Sequence, residues 1–435
     1  MANLPKGSKK LLNAWAFYDW ANSVYSLVIA SAIFPIFYGA LFRDAGIEKI
    51  EVFGGAIART PLISYVTAVA FLVVSFITPL LSGIADYQGS KKTFLKFFCY
   101  LGAGSCIGLY WFSLDTIYVG LSFYFLALIG FWGSLVFYNS YLPDIAFPEQ
   151  QDSISAKGYA LGYLGSVLLL VVNLLMIMKH EWFGFNDTAT PTRISFIMVG
   201  VWWIGFSQYS FLHLPKGHTK PGKATKGILF NGFKELKTVW NELGKTPVLK
   251  RYLTAFFVYS MAVQTVMLIA TYFAEEELAW ANADERTTGL IISILLIQLV
   301  AILGAILTSR ASKKFGNIKI LIVINIMWLA ICCYAYFIIT PLQFYITASS
   351  VGLVMGGIQA LSRSTYSKFL PETQDTTSFF SFYDVAEKIG IVIGMFLYGF
   401  IAQLTGSMRN SVLALGLFFL TGILLLLRVP KKSNS

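Results

Sequence analysis

Apolar residues occur along this chain in twelve long blocks, separated by short polar segments. Each block holds about 20 residues or more, the length that crosses a hydrocarbon core about 30 Å thick as a helix. The pattern predicts an all-α membrane protein with twelve transmembrane helices. The predicted spans are residues 14–42, 61–84, 93–113, 117–142, 158–178, 193–213, 250–273, 288–308, 319–339, 341–366, 379–403 and 410–428.

A basic polar stretch divides the twelve spans into two groups of six. We predict a first six-helix bundle at 1–212, a basic cytoplasmic linker at 213–249 and a second six-helix bundle at 250–435. Bundles of equal size are typical of transporters built from internal repeats. This organisation indicates a transporter before any motif is considered.

Weak sequence similarity between the halves indicates duplication. Gly89, after the second span, corresponds to Gly316 after the eighth at an offset of 227 residues. Leu142-Pro143, after the fourth span, corresponds to Leu370-Pro371 after the tenth at an offset of 228. Similar offsets at equivalent points of the topology favour a repeat.

The net charge of +11 reflects topology. The chain is 56% hydrophobic and only 13% charged, whereas soluble domains carry about 25% charged residues. Alternating spans place 25 Lys and Arg residues on the inner side and 7 on the outer side, so the positive-inside rule orients both termini to the cytoplasm. We therefore expect a multi-pass protein of the bacterial inner (plasma) membrane, a monomer with the lipid bilayer and not nucleic acid as its partner.

Polar residues recur on one face of the first span. Asp19, Asn22, Ser23 and Ser26 stand at i, i+3, i+4 and i+7, a spacing that aligns them on one helical face. Ionisable groups inside a membrane are costly and usually functional. The face is a candidate site for a cation, a proton or a polar substrate. The alternative is a structural network near the inner surface, since Asp19 lies only about five residues into the predicted span.

The eleventh span carries Asp384, Glu387 and Lys388. Asp384 and Lys388 are separated by four residues, the spacing of an ion pair within one helix. The pair has two possible roles, in structure or in binding substrate charge and coupling. Thr376, Thr377 and Ser378 precede this span, and their side chains can cap its free amides.

Arg363 lies near the inner end of the tenth span, after Gln359. Its side chain can snorkel to the interface, form a gate contact, or bind a substrate carboxylate through two bonds. Asn139 and Gln264 are lone polar residues within spans that serve either as interhelical contacts or as lining of the substrate path. Tryptophans near span ends are predicted to anchor the protein at the interface: Trp15, Trp20, Trp182, Trp202 and Trp203.

No arrangement of residues in the sequence indicates catalysis. The four cysteines fall within apolar spans, and the three histidines lack the helical spacing of a zinc site. A membrane enzyme needs a nucleophile, base or metal ligands at one depth, and none is found. We expect no enzymatic activity, no cofactor and no metal.

The loop after the second span resembles the loop motif of the major facilitator superfamily, G-x-x-x-D-x-x-G-x-R/K-x. Gly83, Asp86 (one position early), Gly89, Lys91 and Lys92 match the motif with that small shift. The resemblance implies a gating loop whose aspartate contacts the start of the eleventh helix and stabilises the outward-open state. A carboxylate is favoured at a helix N-terminus.

A narrower resemblance extends over almost the whole chain. Residues 14–23 (AWAFYDWANS), 155–165 (SAKGYALGYLG) and 357–364 (GIQALSRS) are similar to motifs of the vacuole-effluxer-like branch of that superfamily. The resemblance implies a secondary active transporter of a small polar solute, with an amino acid as one candidate and a proton or sodium ion as the candidate coupling ion. The alternatives are an uncoupled facilitator or channel, and a membrane receptor or scaffold that does not transport.

Overall fold

The computed structural model describes residues 4–52, 54–217 and 228–430. In these ranges, twelve segments are long and apolar enough to span a membrane, in agreement with the twelve predicted spans. The helices and strands are α1 (Lys9–Val24), a π-helical segment (Tyr25–Ala32), α2 (Ile33–Asp44), β1 (Lys49–Val52), β2 (Gly55–Ala58), α3 (Arg59–Gln88), α4 (Lys91–Gly108), a 3₁₀ turn (Leu109–Trp111), α5 (Ile117–Asn139), α6 (Leu142–Ile145), α7 (Pro148–Met178), a 3₁₀ turn (His180–Phe183), α8 (Ala189–His213), α9 (Ile228–Lys245), α10 (Pro247–Glu277), α11 (Ala283–Phe315), α12 (Asn317–Ala335), α13 (Pro341–Phe369), α14 (Thr376–Thr405) and α15 (Met408–Leu427).

Several helices extend beyond the predicted apolar spans. The first begins at Lys9 instead of residue 14, because amphipathic residues continue it past the membrane interface. Asp19 therefore lies ten residues from the start of its helix, about 15 Å at 1.5 Å per residue, and not five residues as the apolar span predicted.

The helices pack as two groups around separate hydrophobic cores. One core is built from α1–α8 and includes Trp15, Phe34 and Trp203. The other is built mainly from α9–α15 and includes Trp328 and Phe419. The groups meet where α7 packs against α11 and α13, and where α3 packs against α14. We call them the N-terminal and C-terminal halves.

Close helix contact in the C-terminal half depends on glycine. Gly352 and Gly356 of α13 lie against backbone carbonyls of α11, and a Cβ on Gly356 would collide with the carbonyl oxygen of Ala301. The G-x-x-x-G spacing in the sequence is typical of such an approach. Larger residues here would separate α11 from α13, which both contact the N-terminal half.

Helix α9 follows the N-terminal half on the side of the molecule where α1 begins, which we call the terminal side. Val239 and Leu243 of α9 are buried in the C-terminal core beside Leu249 and Tyr252 of α10. The predicted linker at 213–249 thus contains a packed helix, while residues 218–227 of that linker lie outside the described residues.

Candidate functional site

The guanidinium of Arg363, on α13 of the C-terminal half, is bonded to three helices of the N-terminal half. Nη2 lies 3.1 Å from Oδ2 of Asp19 on α1. Nη1 donates to Oδ1 of Asn139 on α5 at 3.1 Å. Nε donates to Oγ of Ser155 on α7 at 3.0 Å, and Nη2 donates to its carbonyl oxygen at 3.0 Å. Arginine's planar fork is suited to holding several acceptors in one fixed geometry.

Aromatic rings enclose this ion pair. The guanidinium carbon lies 4.2 Å from the ring centre of Tyr159 and 4.8 Å from that of Trp15. The hydroxyl of Tyr138 donates to Oδ2 of Asp19 at 2.8 Å. The faces of aromatic rings attract a cation. The rings therefore stabilise the guanidinium in the absence of water, and the Tyr138 hydroxyl stabilises the carboxylate.

Two predictions about this region need correction. Arg363 is 1% exposed, so it does not snorkel; bonds to the other half replace its contact with water, and the gate-contact alternative fits its position. Trp15 and Trp203 are fully buried, and neither anchors the protein at the interface. The ring of Trp15 stacks on Tyr138, and its indole nitrogen donates to the Tyr138 carbonyl at 2.9 Å.

Helix α7 comes close enough to α1 for these bonds because residue 158 is glycine. A Cβ on Gly158 would collide with Oδ2 of Asp19, and one on Gly162 would collide with the hydroxyl of Ser23. The glycines belong to the segment 155–165 singled out in the sequence. They fix the polar face of α1 against α7.

The other polar residues of that face have different surroundings. Asn22 is buried, accepts a bond from Ser23 at 3.3 Å, and leaves its side-chain nitrogen without a partner among the described residues. Ser26 is exposed and lies in the π-helical segment Tyr25–Ala32. Segments of π-helix occur frequently at functional sites. The structure thus groups Asp19 and Asn22 in the buried interface but not Ser26.

A second charged cluster lies on α14 at mid-depth. Lys388 is fully buried and pairs with Asp384, as the spacing predicted. Its ammonium lies 4.3 Å from the ring centre of Trp132 on α5, in the other half. Oδ2 of Asp384 has no hydrogen-bond partner among the described residues. Lys388 is twelve residues into α14, about 18 Å from its terminal-side end.

Glu387 and Gln359 complete the mid-depth cluster. Gln264 of α10 donates to Oε1 of Glu387 at 2.7 Å. Gln359 of α13 accepts a hydrogen bond from the hydroxyl of Tyr163 on α7. The mid-depth cluster therefore contains one cation, two carboxylates and neutral amides where the halves meet.

At the terminal side, Asp86 binds the start of α14. Its carboxylate accepts bonds from the backbone amides of Thr377 at 3.2 Å and Ser378 at 2.7 Å. The prediction that side chains of residues 376–378 cap this helix was wrong: helix α14 already begins at Thr376, and none of its N-terminal side chains makes a capping bond. A carboxylate from the other half provides the acceptors.

Among the other residues of the predicted gating loop, Lys91 reinforces the contact of Asp86 with α14. Lys91 is buried and donates to Asp144 at 2.6 Å and to Thr376 at 2.8 Å, the latter across the halves. Gly89 ends α3 at φ 65°, a left-handed conformation that favours glycine. Lys92 contacts only its own half in the described structure, donating to the carbonyl of Leu214, and Gly83 is buried in α3.

A third contact, centred on Asp152, was missed in the sequence. Asp152 stands near the start of α7 and pairs with Lys368 of α13 at 2.6 Å. It also accepts hydrogen bonds from Ser312 at 3.0 Å and from Asn317 at 2.9 Å. Ser312 and Asn317 lie on either side of the short loop between α11 and α12. The internal repeat is the signal that could have identified this contact. If the loop after the second span meets the start of the eleventh, the loop after the eighth should meet the start of the fifth.

The polar contacts between halves in the described part of the chain run from the Tyr163–Gln359 bond to the terminal side. Asp86, Asp152 and Arg363 each join the two halves there. They close the interface on the terminal side. Their replacement by water or by other partners is required before this side can open.

Twelve membrane helices in two groups of six, with buried charges at the interface between them, define a transporter of the major facilitator superfamily. Solved structures share this fold. FucP, a transporter in the outward conformation, has a TM-score of 0.70 at 13% identity, over 97% of this chain and 99% of that one. The proton:xylose symporter XylE has a TM-score of 0.69 at 12% identity, over 97% and 95%.

The chain belongs to the family described as "Vacuole effluxer Atg22 like", which matches residues 7–434. An MFS-type transporter of Bacillus subtilis, YxiO, is 31% identical over 97% of this chain and 95% of that protein. Autophagy-related protein 22-1 of Phaeosphaeria nodorum is 22% identical over 96% and 88%. The protein is thus a multi-pass membrane transporter and not an enzyme, as the sequence predicted.

An Asp86→Asn variant is expected to favour the state that is open on the terminal side. The substitution removes a charge at a helix N-terminus, which contributes up to about 2 kcal/mol, or about 30-fold in a population ratio, when partly buried. A cysteine introduced at Ser26, with the exposed Cys333 replaced by serine so that the three remaining native cysteines are buried, should react several-fold more slowly with a thiol reagent added from the side opposite the termini. An Asp115→Asn variant, in an exposed loop, is the control; equal reaction rates in all three proteins would contradict the role of Asp86.

Proposed function

We propose that this protein is a secondary active transporter that moves an amino acid across the membrane by alternating access of its two halves. The observation that carries the proposal is the mid-depth cluster, which presents a buried ammonium, the buried carboxylate of Asp384 and the half-buried carboxylate of Glu387 at the interface between halves. A zwitterionic solute carries the complementary pair of charges. In this proposal Lys388 binds the carboxylate of the solute, and Glu387 and Asp384 bind its ammonium group; the Lys388–Asp384 pair and the Gln264–Glu387 bond support these roles.

The charged side chains of the mid-depth cluster are suited to binding a charged solute within the membrane. Ionisable groups within a membrane are retained mainly where they line a solute or ion path, and Oδ2 of Asp384, which has no partner among the described residues, can accept a bond. Trp132 beside Lys388 and Tyr163 beside Gln359 belong to the N-terminal half. A solute at this depth would contact both halves, as alternating access requires.

The positive-inside distribution supports a cytoplasmic terminal side. With that orientation, the structure is closed toward the cytoplasm by Asp86, Asp152 and Arg363. The family's description as vacuole effluxers supports export as the direction. We propose the inner membrane of a bacterium as its location and a monomer as its functional unit.

Asp19 is the proposed coupling residue, with a proton or sodium ion as the coupling ion. It lies about 15 Å into α1 and shares its Oδ2 with Arg363 and Tyr138. Protonation or cation binding at this carboxylate would weaken its bond to Arg363. A coupling ion could thereby favour opening of the terminal side.

The substrate is tested by comparing metabolites of a deletion strain with those of its parent, followed by uptake of the changed metabolites into liposomes. We expect an amino acid to accumulate in the deletion strain and to enter liposomes with saturable kinetics. Gradient-insensitive ion conductance would instead indicate a channel. Absence of any flux, with protein shown to be folded, would indicate a receptor or scaffold.

An Asp19→Asn variant is expected to keep its place in the membrane but to lose gradient-driven accumulation of amino acid. Asparagine retains the size of aspartate and an acceptor oxygen, so exchange between equal concentrations should persist. Uptake driven by a proton or sodium gradient is the measurement, and Asp115→Asn is the matched control. Accumulation at the wild-type level would remove Asp19 from the coupling mechanism.

A further inference from the structure

A basic groove lies on the terminal side of the C-terminal half, away from the interface between halves. It is formed by the end of α9, the first turns of α10 and the last turn of α15, and its volume is about 660 Å³. Its lining includes Pro247, Lys250, Arg251, Leu425 and Arg428. The gating contacts and the mid-depth cluster use none of these residues.

All the charged residues that line this groove are basic. Lys250, Arg251 and Arg428 are exposed, and no carboxylate is among the residues that line the groove. The structure gives none of the three an ion-pair partner among the described residues. Nη1 of Arg251 donates to the carbonyl oxygen of Arg428 at 3.1 Å, which holds α10 against the end of α15. The groove is therefore a concave surface of positive charge.

The groove continues into an apolar surface. Leu424 precedes Arg428 by four residues, so the two share a face of α15. That face carries four leucines that are 43–65% exposed along the helix: Leu417, Leu420, Leu424 and Leu427. In a membrane-spanning helix such residues face acyl chains. An anion with hydrocarbon chains fits the groove and this surface together.

We propose that this groove binds the phosphate headgroup of an anionic phospholipid, with its acyl chains along the exposed leucines of α15. Basic pockets at the ends of membrane helices attract such headgroups. The size of the groove and its position at the membrane boundary favour a lipid over a free phosphate. Because α9 and α10 form its walls, the lipid would hold the linker helix to the C-terminal half.

Native mass spectrometry of the full-length protein tests the proposal, with phosphatidylglycerol, cardiolipin, phosphatidylcholine and glycerol 3-phosphate as probes. We expect bound phosphatidylglycerol or cardiolipin, little phosphatidylcholine, and no retained glycerol 3-phosphate. Replacement of Lys250, Arg251 and Arg428 with glutamine should weaken binding of the anionic lipid about 100-fold, since each basic residue near an anionic surface contributes about fivefold. The variant K250Q/R428Q, which keeps the Arg251 bond between helices, should lose about 25-fold.

The matched control is the triple glutamine variant of Arg310, Lys313 and Lys314, which are exposed at the terminal-side end of α11. It makes the same change in charge on the same side of the membrane and should bind lipid as the wild-type protein does. Equal loss in the control and the groove variants would show general surface attraction and overturn the site. Unchanged lipid binding in K250Q/R428Q, or equal retention of phosphatidylcholine, would also overturn it.

Discussion

An Arg363→Lys variant is expected to transport about 100-fold more slowly than the wild-type protein although it conserves the charge. The guanidinium donates to Asp19, to Asn139, and to both the hydroxyl and the carbonyl oxygen of Ser155. A lysine ammonium is a single point with three donors and cannot reproduce this planar fork. Hydrogen bonds to charged groups contribute about 1.5–3 kcal/mol each, so loss of two accounts for an effect of this size or more.

Initial rates of amino-acid uptake into liposomes, at equal amounts of reconstituted protein, measure this effect. Arg310→Lys is the matched control, because Arg310 is exposed on α11 and should tolerate the change. Near-wild-type uptake by Arg363→Lys would show that the number of bonds at Arg363 does not determine transport. The closed terminal side would then depend mainly on Asp86 and Asp152.

The second large effect is expected at Lys388. Lys388→Met removes one partner of a buried ion pair and leaves the carboxylate of Asp384 uncompensated, which costs about 3–5 kcal/mol. We expect a lower midpoint of thermal unfolding and loss of uptake. The double variant Asp384→Asn/Lys388→Met removes both charges, and its unfolding midpoint should return close to that of the wild-type protein.

Uptake by that double variant separates the two roles of the pair. If Lys388 binds the substrate carboxylate, the double variant should be stable and still transport less than about one-tenth as fast, because a charged hydrogen bond contributes about 1.5–3 kcal/mol. Transport near the wild-type level by the stable double variant would show that the pair is structural. The proposed position of the substrate at Lys388 would then be wrong.

The twelve helices could be predicted because each must bury about 20 apolar residues in lipid, a constraint that is visible in any single segment. The capping box at Thr340, which starts α13, shows that even the short gap before the tenth span was recoverable. The helix starts at Lys9 and Pro148 were not, because helices continue into water past the apolar stretch.

The polar interface was only partly predictable. Spacing within one helix revealed the Asp384–Lys388 pair, since both residues lie on α14. The bond between Asp19 and Arg363 joins positions 344 residues apart, and no local pattern encodes such a contact. Asp152 was missed because it lies outside the apolar spans, where a carboxylate has no obvious cost.

The most direct test of the central claim is counterflow of amino acids by the wild-type protein in liposomes. Vesicles are loaded with an unlabelled mixture of protein amino acids and diluted into a trace of the same mixture carrying radiolabel. For an alternating-access transporter we expect a transient accumulation of label above its equilibrium level. Labelled solute enters with little competition from the dilute outside solution, whereas its exit competes with the concentrated unlabelled solute inside. Label that only rises to equilibrium, or fails to enter at all, would contradict the proposed function.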